Sequence, residues 1–219
     1  MQKAIIFGAT DLAEILYNHL IRTPDSPEIH AFAVDAEYWK GGAFCGLPVV
    51  SSADCAKQYP PVEYGVYICV GYSGMNRRRH ELYDWHKEQG YSILSYVHPS
   101  AQIYSDKIGI GTIAFANVLL DVKSQIGDGN IFYPGCNISH HSAVGNFNYF
   151  SPEVCVCGHC VIENYCFLGA NSTVKDKTSV ADKSLVGACA YVAKNTERAS
   201  VIAPLRSIVF KDKTSLDFL

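Results

Sequence analysis

The sequence predicts two domains, a small α/β domain with a parallel sheet over residues 1–97 and a parallel β-helix with a C-terminal tail over residues 98–219. Short apolar runs that alternate with a helical apolar period indicate the first domain. A hydrophobic period of six that begins at Ile108 indicates the second. The composition fits a globular protein, because 219 residues with 48% hydrophobic and 18% charged side chains can form one large core or two small ones.

The α/β domain opens with a strand, a turn and a helix. Lys3–Phe7 is a short β-rich run that ends at Gly8, and apolar residues at helical spacing follow over residues 12–20. Further strands are predicted over 29–34, 64–70 and 92–97, and a helix over 75–89. Alternating strands and helices of this length predict a parallel sheet with helices on its faces.

Ligands of such sheets bind beyond the carboxyl ends of the strands. This rule nominates the loops at Gly8, Asp35 and Gly71 as a binding site. Gly8 and Gly71 could equally be ordinary turns at strand ends, and Asp35 could bind a base or ribose or merely cap a turn.

The second domain is defined by its repeat. Every sixth residue is aliphatic or Phe, with a single Ala, in the series Ile108, Ala114, Leu120, Ile126, Phe132, Ile138, Val144, Phe150, Val156, Ile162, Leu168, Val174, Val180, Val186 and Val192. The residue four positions further on is small or narrow in every unit. An α-helix cannot keep a period of six on one face, whereas a triangular coil of three short strands can. Fifteen units predict five complete coils.

The motif Cys155-Val156-Cys157-Gly158-His159-Cys160 has the composition of a zinc site. In the hexad register, however, Cys160 takes the small inward position, while Cys155 and Cys157 flank the inward Val156 and point outward. The three thiols therefore do not converge on one ion, and we interpret these cysteines as small packing residues.

His140 and His141 lie side by side at a predicted corner, outside the prism. Residues eighteen apart lie on neighbouring coils at about the inter-strand distance of ~4.8 Å. His140 should therefore face Gly158, and His141 should face His159. Acyl transfer needs at least a general base and a hydrogen-bond donor to the oxyanion. An imidazole beside a backbone N–H can supply both, the imidazole as the base and the N–H as the donor.

Four segments, together with the domain order, carry a resemblance that covers nearly the whole chain. They are Ile5-Ile6-Phe7-Gly8-Ala9, Val97-His98-Pro99-Ser100-Ala101, Ile138-Ser139-His140-His141 followed by Val144-Gly145, and Cys166-Phe167-Leu168-Gly169-Ala170-Asn171-Ser172. The sequence in these segments resembles the bacterial hexapeptide-repeat sugar acyltransferases, which include sialic-acid O-acetyltransferases and N-acetyltransferases of nucleotide-linked 4-amino-sugars.

This resemblance implies a Rossmann-like α/β domain that binds a UDP- or dTDP-linked amino-sugar, and a left-handed β-helix that forms a homotrimer. It also implies that acetyl-CoA lies in the groove between neighbouring subunits. His140 corresponds to the catalytic base and Gly158 to a glycine near the thioester carbonyl, while Ala170 and Ala188 fall where small residues line the CoA groove.

A run of three arginines follows Gly71 and supplies cations near the proposed pyrophosphate. Only some of the three can face one side of a helix, and Arg77 is the candidate for the pyrophosphate contact.

The sequence departs from the family pattern at three places. His141 stands where the family has Asp or Glu to orient the catalytic histidine, and Tyr149 stands where the family has a second histidine. The opening loop, commonly Gly-Ala-Gly-Gly-His, has no second glycine and no histidine here. Asp11 places a negative charge where a dinucleotide pyrophosphate would bind, which argues against a dinucleotide cofactor.

Composition limits the possible partners. A formal charge of −3 offers no basic excess for nucleic acid or an anionic membrane, and no apolar run reaches the length of a signal peptide or a membrane span. We therefore expect a cytoplasmic protein that binds neither nucleic acid nor membrane. In that compartment the nine cysteines are better explained as small core residues, metal ligands or reactive thiols than as a disulfide framework. Because the register separates the cysteines of the zinc-like motif, we expect no bound metal.

Three alternative functions stay open. A sugar O-acetyltransferase would use the same site, and a catalytically silent homologue would only bind a nucleotide-sugar. A carbonic-anhydrase-like zinc hydratase would use His140, His141 and His159, although its H-x4-H spacing is absent.

Overall fold

The computed structural model describes residues 3–207, 209, 211 and 216. The α/β domain has one six-stranded sheet in the order β3-β4-β2-β1-β5-β6. Its strands are β1 Lys3–Phe7, β2 Glu28–Val34, β3 Ala43–Phe44, β4 Leu47–Ser51, β5 Tyr64–Ile68 and β6 Ser92–Ile93. Its helices are α1 Asp11–Leu20, α2 Ser52–Gln58 and α3 Arg77–Glu88, with a 3-10 turn over Ala36–Tyr38.

The sheet differs from the prediction at two places. The segment 43–58, for which no element was predicted, forms β3, β4 and α2, and β3 pairs antiparallel to β4, so the sheet is parallel except at this edge. The run 92–97 is not one strand, because Ser92–Ile93 pairs with β5 whereas Tyr96–Val97 pairs with Ile113–Ala114 of the second domain. The β-helix thus begins two residues before residue 98.

The second domain is a left-handed parallel β-helix with three faces of two-residue strands. The first face holds β7 Tyr96–Val97, β10 Ile113–Ala114, β13 Ile131–Phe132, β16 Tyr149–Phe150, β19 Phe167–Leu168, β22 Leu185–Val186 and β24 Val201–Ile202. The second face holds β8 Gln102–Ile103, β11 Leu119–Leu120, β14 Asn137–Ile138, β17 Cys155–Val156, β20 Thr173–Val174 and β23 Tyr191–Val192. The third face holds β9 Lys107–Ile108, β12 Gln125–Ile126, β15 Ala143–Val144, β18 Val161–Ile162 and β21 Ser179–Val180.

The predicted register is confirmed. From Lys107 to Val192 paired strands lie eighteen residues apart, as Ile138 and Val156 do, while the spacing is seventeen residues in the first coil and sixteen in the last. The residues from Ala114 to Val192 at six-residue spacing form the buried core of the prism. The prism is filled by aliphatic and Phe side chains, among which the rings of Phe132 and Phe150 stack. This continuous apolar column stabilises the coils against one another.

Three edges join the faces, and each is named here after its characteristic residues. The Ala edge joins the first and second faces at residues 116, 134, 152, 170 and 188. The His edge joins the second and third faces at residues 122, 140, 158, 176 and 194. The Asn edge joins the third and first faces at residues 110, 128, 146, 164 and 182.

The α/β domain covers the first face of the β-helix. The outward side chains of Ile113, Ile131 and Tyr149 are buried there in one apolar cluster with residues of α1 and β1. The His edge lies opposite this face, because it joins the other two faces. The α/β domain therefore leaves the His edge free within one chain.

A buried arginine holds the two domains together. Arg79 of α3 donates to the carbonyl oxygens of Gly129 at 3.1 Å and Asn148 at 3.0 Å, and the amide of Asn76 donates to the carbonyl of Cys166 at 3.1 Å. Asn148 and Cys166 lie on successive coils, so the start of α3 is hydrogen-bonded to the backbone of the β-helix. Burial lowers the pKa of Arg79 to about 10, which keeps the guanidinium charged at neutral pH.

Within the described part of the chain, no helix is both long enough and apolar enough to cross a membrane.

Candidate active site

His140 lies against Gly158 on the His edge, as the register predicts. The N–H of His159 donates to the carbonyl of His140 at 3.0 Å, which fixes the two coils in register. A Cβ on Gly158 would lie 2.6 Å from Cε1 and 2.9 Å from Nε2 of His140. Glycine is therefore the residue that leaves room for the His140 ring in this position.

The N–H of Gly158 is available to a ligand. Among the residues that the structure describes, no backbone or side-chain acceptor faces this N–H. Asp176, which lies one coil further on, does not accept a hydrogen bond from it. An unpaired and partly exposed N–H beside an imidazole is the arrangement that an oxyanion donor requires.

Two further histidines join His140 at this edge. Nδ1 of His140 and Nδ1 of His141 are 3.0 Å apart, a hydrogen-bond distance. The rings of His141 and His159 stack with centroids 4.7 Å apart and an interplanar angle of 18°. Desolvation, followed by the charges of His159, Lys123 and His140, lowers the pKa of His141, which favours its neutral form at pH 7.

The same three histidines are the described residues best placed to hold a metal ion. One ligand nitrogen from each lies within 4.8 Å of the others, and all three side chains are exposed. The group contains no cysteine: Cys160 is buried with its Sγ 3.0 Å from the carbonyl of Lys175, while Cys155 and Cys157 are partly exposed. A hydrogen bond between the Nδ1 atoms of His140 and His141 would place a proton on one of them, and a protonated nitrogen does not ligate a metal.

A cavity of about 660 Å³ lies at the carboxyl ends of β1 and β2. Gly8, Thr10, Asp35, Tyr38 and Arg78 are among the residues that line it. Arg78 Nη2 donates to Asp35 Oδ1 at 2.7 Å, and this hydrogen bond raises the pKa of the guanidinium. A neighbouring cavity of about 580 Å³ shares Phe7, Asp35 and Arg78 with it.

Gly8 has a structural role as well as a place in this cavity. Its φ is +124°, and a Cβ there would overlap the carbonyl oxygen of Cys69 at the end of β5. Thr10 caps α1 by accepting from the N–H of Ala13 at 3.4 Å, and Asp11 occupies the first turn of the helix. The acidic first turn remains unsuited to a dinucleotide pyrophosphate.

Two of the nominated residues do not line either cavity. Arg77 is three-quarters exposed and pairs with Glu81 at 3.3 Å, so the cation at the cavity is Arg78. Gly71 lies one residue beyond Val70, which does line the cavity. The run of three arginines in the sequence indicated a cation near this cavity. Which arginine faces the cavity depends on where α3 begins, and the structure shows that it begins at Arg77.

Ala170 and Ala188 lie on neighbouring coils of the Ala edge, where the N–H of Cys189 donates to the carbonyl of Ala170 at 2.8 Å. The second face separates them from His140 within one chain. Tyr149 is buried against the α/β domain, in contact with Tyr72 and Phe167, and does not reach the His edge.

Comparison with solved structures finds the same fold over both domains. The acetyltransferase domain of PglB from Neisseria gonorrhoeae matches with a TM-score of 0.80 and 19% identity, covering 94% of this chain and 100% of that one. The same domain in complex with acetyl coenzyme A matches with a TM-score of 0.80 and 18% identity, covering 93% and 99%. PerB from Caulobacter crescentus, in complex with CoA and GDP-perosamine, matches with a TM-score of 0.80 and 21% identity, covering 92% and 93%.

No protein-family model matches the sequence, and comparison with curated proteins gives no match.

Proposed function

We propose that this protein is an acetyl-CoA-dependent N-acetyltransferase that acts on the amino group of a nucleotide-linked amino-sugar. The observation that carries the proposal is the exposed imidazole of His140 packed on Gly158, whose N–H has no other acceptor among the described residues. The fold supports it, because the similar structures of the PglB domain and PerB include complexes with acetyl coenzyme A and with CoA plus GDP-perosamine.

In this proposal the amine of the sugar attacks the thioester carbonyl of acetyl-CoA while Nε2 of His140 takes a proton from the amine. The N–H of Gly158 donates to the oxyanion of the tetrahedral intermediate. The C–S bond then breaks, the C–N bond remains as the amide, and the proton on His140 passes to the CoA thiolate. No acetyl-enzyme is needed, since a deprotonated amine is itself a good nucleophile.

The cavity at Gly8 and Asp35 is the proposed site of the nucleotide. Arg78 lies at its margin and can pair with a diphosphate, while the Asp35 carboxylate can accept from a base or a ribose hydroxyl. Gly71 and Arg77 are the sequence neighbours of the lining residues Val70 and Arg78, and we propose them as secondary contacts only. We propose UDP, dTDP or GDP as the nucleotide.

A homotrimer brings the two parts of the site together. In one chain the His edge lies opposite the face that the α/β domain covers, and Ala170 and Ala188 lie on another edge. The uncovered surface carries exposed apolar side chains, Val122 at 48%, Val161 at 41% and Tyr191 at 60% exposure, which favours contact with neighbouring subunits. The groove between two such subunits is the proposed site of CoA. A monomer by light scattering at micromolar concentration would contradict this assembly.

The free state of all nine cysteines supports a cytoplasmic location, where thiols stay reduced.

The test is a CoA-release assay with acetyl-CoA and a panel of UDP-, dTDP- and GDP-linked 4-amino-sugars, each matched by the corresponding 4-hydroxy sugar. We expect CoA release and an N-acetylated product with at least one amino-sugar. Turnover of the hydroxy sugars alone would identify an O-acetyltransferase. Absence of turnover with every member would indicate a protein that only binds nucleotide-sugars.

A further inference from the structure

A histidine that acts as a base at Nε2 must carry its own proton on Nδ1. In such sites an acceptor next to Nδ1 fixes this tautomer, and a carboxylate usually provides it. Within the described part of the chain, no carboxylate oxygen accepts from either ring nitrogen of His140. The group that faces Nδ1 of His140 is Nδ1 of His141, at 3.0 Å with the two rings at 87°.

We propose that His141 is the positioning residue of this site, and that its neutral Nδ1 accepts the Nδ1 proton of His140 and thereby leaves Nε2 of His140 free as the base. The role of His140 as base rests on the proposed acetyltransferase function. The hydrogen bond itself and the tautomer it selects do not depend on that function.

The number of protons that His140 and His141 carry together determines whether His140 can act as a base. Two neutral imidazoles carry two protons, one in the Nδ1–Nδ1 hydrogen bond and one on the Nε2 of the accepting ring. When His141 accepts, that second proton is on His141 and His140 is competent. One further proton occupies the remaining Nε2, so a single protonation of the pair disables the base. During turnover the imidazolium formed on His140 can share its charge with His141 through the same hydrogen bond.

The surroundings of His141 favour its neutral form. The titratable and charged groups that face it are His140, His159, Lys123 and Asp106, of which only Asp106 raises its affinity for a proton. Desolvation and the cationic or cation-forming neighbours lower its pKa below the ordinary value for histidine. A neutral His141 keeps its Nδ1 available as an acceptor, and activity should fall as the pH drops and the site takes up a proton.

The chain itself supplies variants that the fold should tolerate at position 141. His141 has φ +58°, and the equivalent position at the other two edges holds Phe147 at φ +55° and Glu153 at φ +61°. His141→Phe keeps an aromatic ring but removes the acceptor. His141→Glu supplies a group that only accepts. His159→Phe is the matched control, since it keeps a ring stacked on His141 and does not touch the Nδ1–Nδ1 bond.

The first test is the protonation state of the His140 ring, measured by ¹H–¹⁵N NMR of histidine-labelled protein without substrate. We expect the proton on Nδ1 in the wild type and in His159→Phe near pH 8, and a shift of population to Nε2 in His141→Phe. A proton on Nε2 of His140 in the wild type, or an unchanged tautomer in His141→Phe, would overturn the proposal whatever the enzyme does.

The second test is the pH profile of kcat/KM with the best acceptor from the panel. His141→Phe should lower kcat by about 10- to 100-fold with little change in KM, the range typical for removing an orienting partner. His141→Glu should retain activity, and its negative charge should favour an added proton at the site, so that activity is lost at a higher pH than in the wild type as the solution is acidified.

Equal losses in His141→Phe, His141→Glu and His159→Phe would show that position 141 matters only for packing, and would overturn the proposal. If the NMR result is as expected but no donor and acceptor pair is turned over, the positioning role stands and the acetyltransferase function falls.

Discussion

The Asn edge and the His edge are built from the same backbone turn but satisfy it differently. On the Asn edge each backbone N–H at the corner is bonded to a side-chain oxygen of the next coil at 2.8 Å, from Ile110 through Asp128, Asn146 and Asn164 to Asp182. On the His edge the N–H groups of His140, Gly158 and Asp176 have no acceptor in the described part of the chain. One edge is closed by its own side chains and the other is open to a ligand.

This difference shows how a repeat protein can leave a backbone N–H open at one corner without changing its fold. The amide and carboxylate ladder is a local side-chain-to-backbone network that stabilises the turn. The N–H of Gly158 is free because the carboxylate of Asp176 on the next coil does not accept from it, and the imidazole of His140 one coil below occupies the space that a side chain at position 158 would take. The open His edge therefore forgoes hydrogen bonds that the Asn edge makes.

The largest expected effect is at His140. His140→Asn should lower kcat by about 10² to 10⁴, because a general base is lost, with modest change in KM. The side chain is exposed, so the melting temperature should stay within experimental error of the wild type. Near wild-type turnover by CoA release would mean that the base lies elsewhere.

Substitution of glycine distinguishes the two edges directly. Gly158→Ala should lower kcat by about 10²-fold with little loss of stability, because the new Cβ meets only the movable His140 ring. Gly145→Ala, which lies beside the Asn edge, would bring its Cβ 2.7 Å from Asn164 Oδ1 and 2.8 Å from the backbone oxygen of Glu163.

Gly145→Ala should therefore destabilise the protein while leaving the turnover of the folded fraction unchanged. Thermal unfolding and active-site titration of both variants measure this contrast. The comparison of the edges is wrong if both substitutions act alike.

Asn146→Ala removes an acceptor from the Asn edge. The N–H of Asp128 loses its partner at 2.8 Å, and Asn164 Oδ1 loses a donor at 3.1 Å. We expect the free energy of unfolding to fall by about 1 kcal/mol, which lowers the melting temperature by roughly 2–4 °C at fixed protein concentration. An unaltered melting temperature would show that water replaces the ladder without cost.

The smallest expected effect is that of metal removal. Dialysis against EDTA should leave kcat unchanged, because His140 and His141 use their facing nitrogens for a hydrogen bond with each other. Elemental analysis of the purified protein checks this independently. Stoichiometric zinc together with loss of activity on chelation would favour the hydratase alternative.

The sequence predicts the β-helix and its register well because inward residues recur every sixth position and the coil repeats every eighteen. That arithmetic alone places His140 on Gly158 and His141 on His159. It cannot predict the Nδ1–Nδ1 hydrogen bond, which depends on side-chain rotamers and not on register.

The α/β domain is less regular, and its sequence predicts less. The sequence pattern of Ser92–Val97 shows no break between two strands. In the structure, Ser92–Ile93 pairs with the α/β sheet and Tyr96–Val97 with the β-helix, and Leu94–Ser95 lies between the two strands. The segment 43–58 contains strands of two and five residues and a seven-residue helix, which are too short to show a period. At the cavity, the choice of Arg78 over Arg77 depends on the residue at which α3 begins, because consecutive residues of a helix point in different directions.

Under the proposed function, the buried Arg79 implies a length requirement for the substrate. Since its guanidinium and the neighbouring Asn76 bind the backbone of successive coils, the α/β domain cannot swing towards the reacting centre as a lid. In the proposed assembly, the scaffold would set the span from a base held near Asp35 to the His140 of a neighbouring subunit, and the diphosphate and sugar between base and amine would have to match that span. A sugar nucleotide with one phosphate fewer should bind at the cavity and yet not be acetylated, which calorimetry combined with the CoA-release assay can measure.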